Sequence, residues 1–257
     1  MNRYWEIDAA RTLAIGMMVA YHLAWDLWWL TPDIDIDPFG GWLRALQVCT
    51  GSSFLFITGV SAALVHQRMV AAGVPMATRL RRHWRRALQV LAAGALVTVA
   101  TFVALGSEDY VRFGILQCIG TVMLLLPLLA RLGPVLNVAF AVPVILVGLQ
   151  LRTAVSDVPG ALIIAWRLPG GTGVDHYPLL PWLGPAMLGL AAGMLLYPGG
   201  HRHAVVERLV GRIRGAVRAT WPGRHALPIY LVHQIVLIGL TALALQLAGV
   251  TVDPGQR

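Results

Sequence analysis

The stretch Ile7-Asp-Ala-Ala-Arg-Thr-Leu-Ala-Ile-Gly-Met-Met-Val-Ala-Tyr-His-Leu-Ala-Trp-Asp-Leu-Trp-Trp-Leu30 decides how this chain folds. It is mainly apolar and long enough to cross a bilayer as a helix, which takes about 20 residues. It also carries Arg11, His22 and Asp26, and ionisable groups inside a membrane span are costly and usually functional. Arg11 and His22 are eleven residues apart. At about 100° per residue that is three turns plus about 20°, so both point the same way, about 16 Å apart along the axis. Asp26 follows His22 by four and shares its face, and Asp8 precedes Arg11 by three. The helix therefore presents one polar stripe of Asp8, Arg11, Met18, His22 and Asp26.

The rest of the chain repeats the apolar theme. Of 257 residues, 57% are hydrophobic and only 12% charged, with a mean hydropathy of +0.69. A soluble domain is nearer a quarter charged, so a disordered chain is excluded and a soluble domain is a poor fit. Seven spans are expected, at Ile7–Leu30, Trp42–Val65, Ala87–Leu105, Phe113–Leu129, Pro134–Leu149, Leu179–Tyr197 and Ala226–Val250. The fourth and fifth are separated only by Ala130–Gly133, which predicts a tight helical hairpin. The fold class is an all-α polytopic membrane bundle, with residues 1–257 as a single domain. No signal peptide is expected, because residues 1–11 hold Arg3, Glu6, Asp8 and Arg11 and no short apolar core. Cys49 and Cys118 fall in apolar segments and are expected as buried free thiols, not a disulfide framework.

The net charge of +8 comes from arginine alone, with no lysine in the chain. The arginines sit between apolar spans and not on a polar domain, so nucleic acid is not an expected partner. They orient the chain instead. With the amino terminus in the cytoplasm, only Arg44, Arg112, Arg152, Arg167 and Arg257 of the 20 fall outside, the asymmetry typical of cytoplasmic loops. A cytoplasmic-membrane protein with its amino terminus inside and its carboxyl terminus outside follows. Val205, Leu209, Ile213 and Val217, spaced by four among arginines, read as an amphipathic helix on an anionic surface.

Several residues can carry chemistry. His22 can take a proton from a hydroxyl or amine, with Asp26 fixing its tautomer and stabilising the imidazolium. Arg11 suits a phosphate or carboxylate at the cytoplasmic mouth. The alternative is an ion-pair network that only joins helices. The run Arg79-Leu-Arg81-Arg82-His-Trp-Arg85-Arg86 is either a topology anchor touching lipid headgroups or a place for a polyphosphate co-substrate. The outer segment places Asp175, His176 and Tyr177 just before Pro178, with Trp182 following. In the last span Tyr230 and His233 are one turn apart, next to Gln234, and read as pocket-lining. His201 and His203 alternate in a glycine-rich loop with none of the companions of a metal site, so no metal is expected.

Taken together these segments resemble a family. Arg3-Tyr-Trp-Glu-Ile-Asp8 with Arg11, Ile15, Met18, His22 and Asp26-Leu27 resembles the opening of the small prokaryotic DUF1624 membrane proteins. That group is classed with the catalytic domain of heparan-alpha-glucosaminide N-acetyltransferase. Three later blocks are similar to it: Phe113-Gly-Ile-Leu-Gln-Cys-Ile-Gly120, Asp175-His-Tyr-Pro-Leu-Leu-Pro-Trp-Leu-Gly184 and Gly223-Arg-His-Ala-Leu-Pro-Ile-Tyr-Leu-Val-His-Gln234. The Arg11–His22 spacing also resembles that of the acyltransferase-3 families, in which the histidine is the proposed base. There are departures. Gln117 stands where the family block ends in histidine, His176 where an aromatic is common, and Thr31–Gly41 has no histidine where the lysosomal enzyme's proposed catalytic one lies.

The resemblance implies a bacterial or archaeal membrane acyltransferase. It would move an acetyl or other short acyl group from acetyl-CoA or another acyl-CoA to a hydroxyl or amine of a sugar or lipid-linked glycan. Membrane lipid and a second copy in a homodimer are further expected partners. His22 and Asp26 are the catalytic candidates, and Arg11, Arg79, Arg81, Arg82, Arg85 and Arg86 the donor-binding ones. Gln117, Asp175, His176, Tyr177, Trp182, Tyr230, His233 and Gln234 are the acceptor-binding candidates. A proton-coupled transporter or flippase, or a non-enzymatic membrane subunit, is the alternative.

Overall fold

The computed structural model describes residues 4–158, 160–169, 171–211 and 220–254. Arg3, Ile213, Val217 and Arg257, used in the sequence reading, lie outside them, as do Arg212, Arg214 and Arg218. The described residues form helices α1 Trp5–Leu30, α2 Gly41–Ala71, α3 Met76–Asp109, α4 Ile115–Leu129 and α5 Gly133–Leu151, then α6 Ala161–Ile164, α7 Leu179–Leu196, α8 Ala204–Gly211, α9 Trp221–Arg224 and α10 Ala226–Leu247. Among the described residues there are no strands, only the isolated bridges Phe113–His176 and Val155–Arg167. The fold is an all-α polytopic bundle of an integral membrane protein.

Six helical stretches are long and apolar enough to cross a membrane. One of them, Ile115–Leu151, has 37 residues, about 55 Å at 1.5 Å per residue and nearly twice a bilayer core. It is broken at Gly133, where φ is 73°, a conformation that costs glycine nothing. The two arms run in opposite directions. The bridge Phe113–His176 sets the start of α4 beside the start of α7, while α5 packs antiparallel on α7, Gly148 meeting Pro181 and Gly184 meeting Ala141 and Ile145. This is the hairpin expected around Ala130–Gly133.

Helix α3 begins eleven residues before the expected span. From Met76 to Ala93 no glycine or proline interrupts a run rich in arginine, leucine and alanine, all strong helix formers. The arginine run is therefore helical, not a loop. Its first two turns place Arg81, Arg82, Arg85 and Arg86 in exposed positions and His83 in a buried one.

The described residues group into two compact units, Met1–Phe54 with Ile213–Arg257, and Leu55–Arg212. In the first, α1 packs on α9 and α10. The turn before α10 closes on the start of α1, since Gly223 N–H donates to Thr12 Oγ1 at 3.0 Å and Thr12 Oγ1 donates to the Asp8 carbonyl. A Cβ on Gly223 would collide with that carbonyl. At the far end Asp253 N–H donates to the Leu30 carbonyl at 2.9 Å, so α1 and α10 run in the same direction.

In the second unit small residues let helices approach, the means by which helices associate where apolar burial gives no advantage over lipid. A Cβ on Gly189 of α7 would strike the Phe56 carbonyl of α2. Many large apolar side chains stay exposed, among them Leu96, Val99 and Val103 of α3, as lipid-facing positions require. In α8, Val205 and Leu209 are exposed on a short amphipathic helix. Cys118 is a buried free thiol; Cys49 is also free but exposed, correcting the expectation that both are buried.

Candidate active site

Two helices of the first unit bring together five of the candidates, His22, Asp26, Tyr230, His233 and Gln234. His22 on α1 and His233 on α10 meet edge to face, ring centroids 4.8 Å apart and planes at 81°. The two imidazoles are held alike. His22 Nδ1 lies 2.9 Å from the Met18 carbonyl, and His233 Nδ1 lies 2.6 Å from the Tyr230 carbonyl. A carbonyl only accepts, so in each neutral ring the proton sits on Nδ1 and Nε2 carries the lone pair. The Tyr230 ring also lies beside His233, with centroids 5.3 Å apart and planes tilted by 55°.

Asp26 is wholly buried, and its partner is not His22. Gln234 Nε2 donates to Asp26 Oδ1 at 2.6 Å, while the His22 tautomer is set by its own helix through Met18. Asp26 Oδ2, Gln234 Oε1 and His233 Nε2 are buried with no hydrogen-bond partner. All three are acceptors, so the α1–α10 contact has an unmet demand for donors. Hydroxyl and amine groups have that chemistry.

Arg11 lies toward the other end of α1. It pairs with Asp8 at 2.8 Å, and Arg224 approaches the second oxygen of the same carboxylate at 3.7 Å. One buried acid thus faces two cations at this end of the helix pair. Arg224, adjacent to Gly223, was not singled out from the sequence as a site residue. Its signal was present in the block Gly223-Arg-His225 just before the last span.

The remaining candidates lie in the second unit. Gln117 is a bracket: Nε2 donates to the Gly94 carbonyl at 2.9 Å and to Thr98 Oγ1 at 2.8 Å, and Oε1 accepts from Gly114 N–H at 3.1 Å. It joins α3 to the start of α4, with both its amide groups engaged. Asp175 caps the same helix from a distance, accepting from Ile115 N–H at 3.1 Å. Burial pushes its carboxyl up to about 6, and the Ile115 bond opposes this only in part. His176 Nε2 lies 3.0 Å from the Leu162 carbonyl. Burial holds its imidazole below the usual value, with the charge of Arg167 acting the same way and the Leu162 bond opposing. Tyr177 N–H donates to the Phe113 carbonyl at 3.0 Å, and its ring lies 4.6 Å from Trp182. The Asp175–Trp182 segment therefore ties the starts of α4 and α7 together.

The arginine run divides by helix face. Arg81, Trp84, Arg85, Leu88 and Ala92 line an open groove of about 870 Å³ along α3. Arg79 and His83 lie on the opposite, inward face, four residues apart. Among the described residues no group of three or more His, Cys, Asp or Glu side chains is placed to hold a metal.

The family model described as heparan-alpha-glucosaminide N-acetyltransferase, catalytic, matches residues 3–235. The chain belongs to this family. The match takes in α1 with His22 and Asp26 and extends through Gln234 on α10, so both sides of the paired-histidine contact lie within it. No curated protein and no solved structure matches the chain. Membership in the heparan-alpha-glucosaminide N-acetyltransferase catalytic family makes this a membrane protein of the acetyltransferase type.

Proposed function

We propose that the protein transfers an acetyl or other short acyl group from acyl-CoA to a hydroxyl or amine of a sugar or lipid-linked glycan. One observation carries this reading. His22 and His233 stand together with their protons held on Nδ1 by backbone carbonyls, each Nε2 keeping its lone pair. In the transfer, His22 Nε2 takes the proton from the acceptor hydroxyl or amine as its oxygen or nitrogen attacks the thioester carbonyl. The C–S bond then breaks, and the CoA thiolate leaves and receives a proton. His233, Asp26 and Gln234 hold the acceptor through their unmet hydrogen-bond acceptors. Arg11 and Arg224, at the start of the helix pair, face the anionic donor, and the amino terminus lies in the cytoplasm.

The test is thioester consumption by the purified full chain in the presence of amino-sugar and glycan acceptors. Acetyl-CoA turnover that depends on an acceptor and disappears in His22→Ala supports the reading. Turnover that persists in both His22→Ala and His233→Ala overturns it.

A further inference from the structure

A second set of buried polar atoms without partners lies away from the α1–α10 contact. His66 Nδ1 on α2 and Arg79 Nε and His83 Nε2 on α3 are all buried and make no hydrogen bond. His83 is only 8% exposed. Arg79 has one weak contact, Nη2 to Met76 Sδ at 3.6 Å, and no carboxylate among the described residues pairs with it. The groups are neighbours. The short turn Ala72–Pro75 brings the end of α2 to the start of α3. On α3, Arg79 and His83 follow at i and i+4, one face of the helix. That face continues through the buried Ala87 and Gly94.

The chemistry of these atoms defines what can satisfy them. A guanidinium Nε–H only donates and cannot lose its proton. Each imidazole nitrogen can donate when it carries a proton. Among the described residues no carboxylate neutralises the cluster, so a metal cation would be repelled by Arg79. The group that fits is an oxyanion with several acceptor oxygens, the ligand for which arginine's fork is suited. The exposed Arg82 and Arg86, which flank the cluster on the same helix, would draw such an anion in.

We propose that His66, Arg79 and His83 form a binding site for a phosphate group. The phosphate belongs either to the acyl donor, in which case the site rests on the function proposed above, or to an anionic lipid headgroup.

Thermal unfolding of the detergent-purified full chain, titrated with inorganic phosphate against chloride at constant ionic strength, tests the site. Phosphate is expected to raise the Tm of the wild type. In Arg79→Gln and in His83→Gln the midpoint is expected to rise at least tenfold. An unchanged midpoint in both variants overturns the proposal. Should either variant fail to fold, Arg79→Lys keeps the charge but loses the Nε–H, and an unchanged midpoint there overturns it equally. Two further arms assign the source. Weaker stabilisation by acetyl-CoA in the variants, with none by nanodiscs of phosphatidylcholine containing phosphatidic acid, assigns the donor; the reverse assigns the lipid. Acyl transfer that fails while phosphate binds overturns the proposed function alone. Phosphate that fails to bind while transfer proceeds overturns this site alone.

Discussion

Gln234 on α10 donates its side-chain amide to Asp26 on α1 at 2.6 Å, joining residues 208 apart in sequence. The bond holds the buried carboxylate in register with the His22–His233 pair one turn away. It leaves Asp26 Oδ2 and Gln234 Oε1 unpaired, so the contact both joins the helices and offers acceptors to a ligand. Replacing Gln234 with Leu removes a hydrogen-bond donor from a fully buried carboxylate. A hydrogen bond to a charged group is worth about 1.5–3 kcal/mol. Gln234→Leu is therefore expected to lower the Tm in detergent, while Gln234→Glu with Asp26→Asn restores a donor–acceptor pair and recovers part of the loss. Equal Tm values for wild type and Gln234→Leu would show that the bond carries no weight.

The two histidines are separable by kinetics. Loss of a general base costs about 10²–10⁴ in rate, or about 3–5 kcal/mol of barrier at 1.36 per decade. His22→Ala is expected to lose kcat on that scale with little change in donor binding. His233→Ala is expected mainly to raise the KM for the acceptor. The opposite pattern would move the base to α10.

Asp175 makes stability depend on pH in a defined direction. Its carboxyl is raised from 3.8 to about 6 in the folded chain, so the folded state holds the proton more tightly than the unfolded one. The stabilisation is complete below about pH 3.8 and is lost as pH rises through about 6. Asp175→Asn keeps an acceptor for Ile115 N–H without the charge. Relative to wild type it is expected to gain stability between pH 4 and 7, read as a difference in Tm across that range. A difference that stays flat would place the titration elsewhere.

Gly223 sits where its backbone meets α1, and any Cβ would press on the Asp8 carbonyl. Overpacking of a close contact costs about 1–3 kcal/mol. Gly223→Ala is expected to lower the Tm and, by displacing Arg224 from Asp8, to weaken donor binding. Gly211, whose Cβ would meet nothing within 4 Å, is the control position and is expected to accept Ala without loss.

The proposed orientation is tested by reporter fusions. Those after Arg86 and Arg224 are expected to report the cytoplasmic side, and those after Asp37 and Asp157 the opposite one, following the distribution of arginine. A fusion after Arg86 that reports the opposite side would invert the assignment.

Local pattern made much of this protein legible from its residues alone. Apolar runs of bilayer length marked the helices, and the Ala130–Gly133 interruption marked the hairpin, because length and glycine act within a few residues. The face shared by His22 and Asp26 followed from the helical repeat. Partners between helices did not, because contacts between separate segments leave no periodic trace. Only the tertiary structure paired Asp26 with Gln234 instead of His22, engaged both ends of the Gln117 amide in joining α3 to α4, and made Asp175 a cap for α4. It also divided the arginine run, turning Arg79 and His83 inward beside His66 and the rest outward. A single α-helix from Met76 onward rotates each residue by about 100°, and the packing of the other helices decides which side of that rotation is the interior.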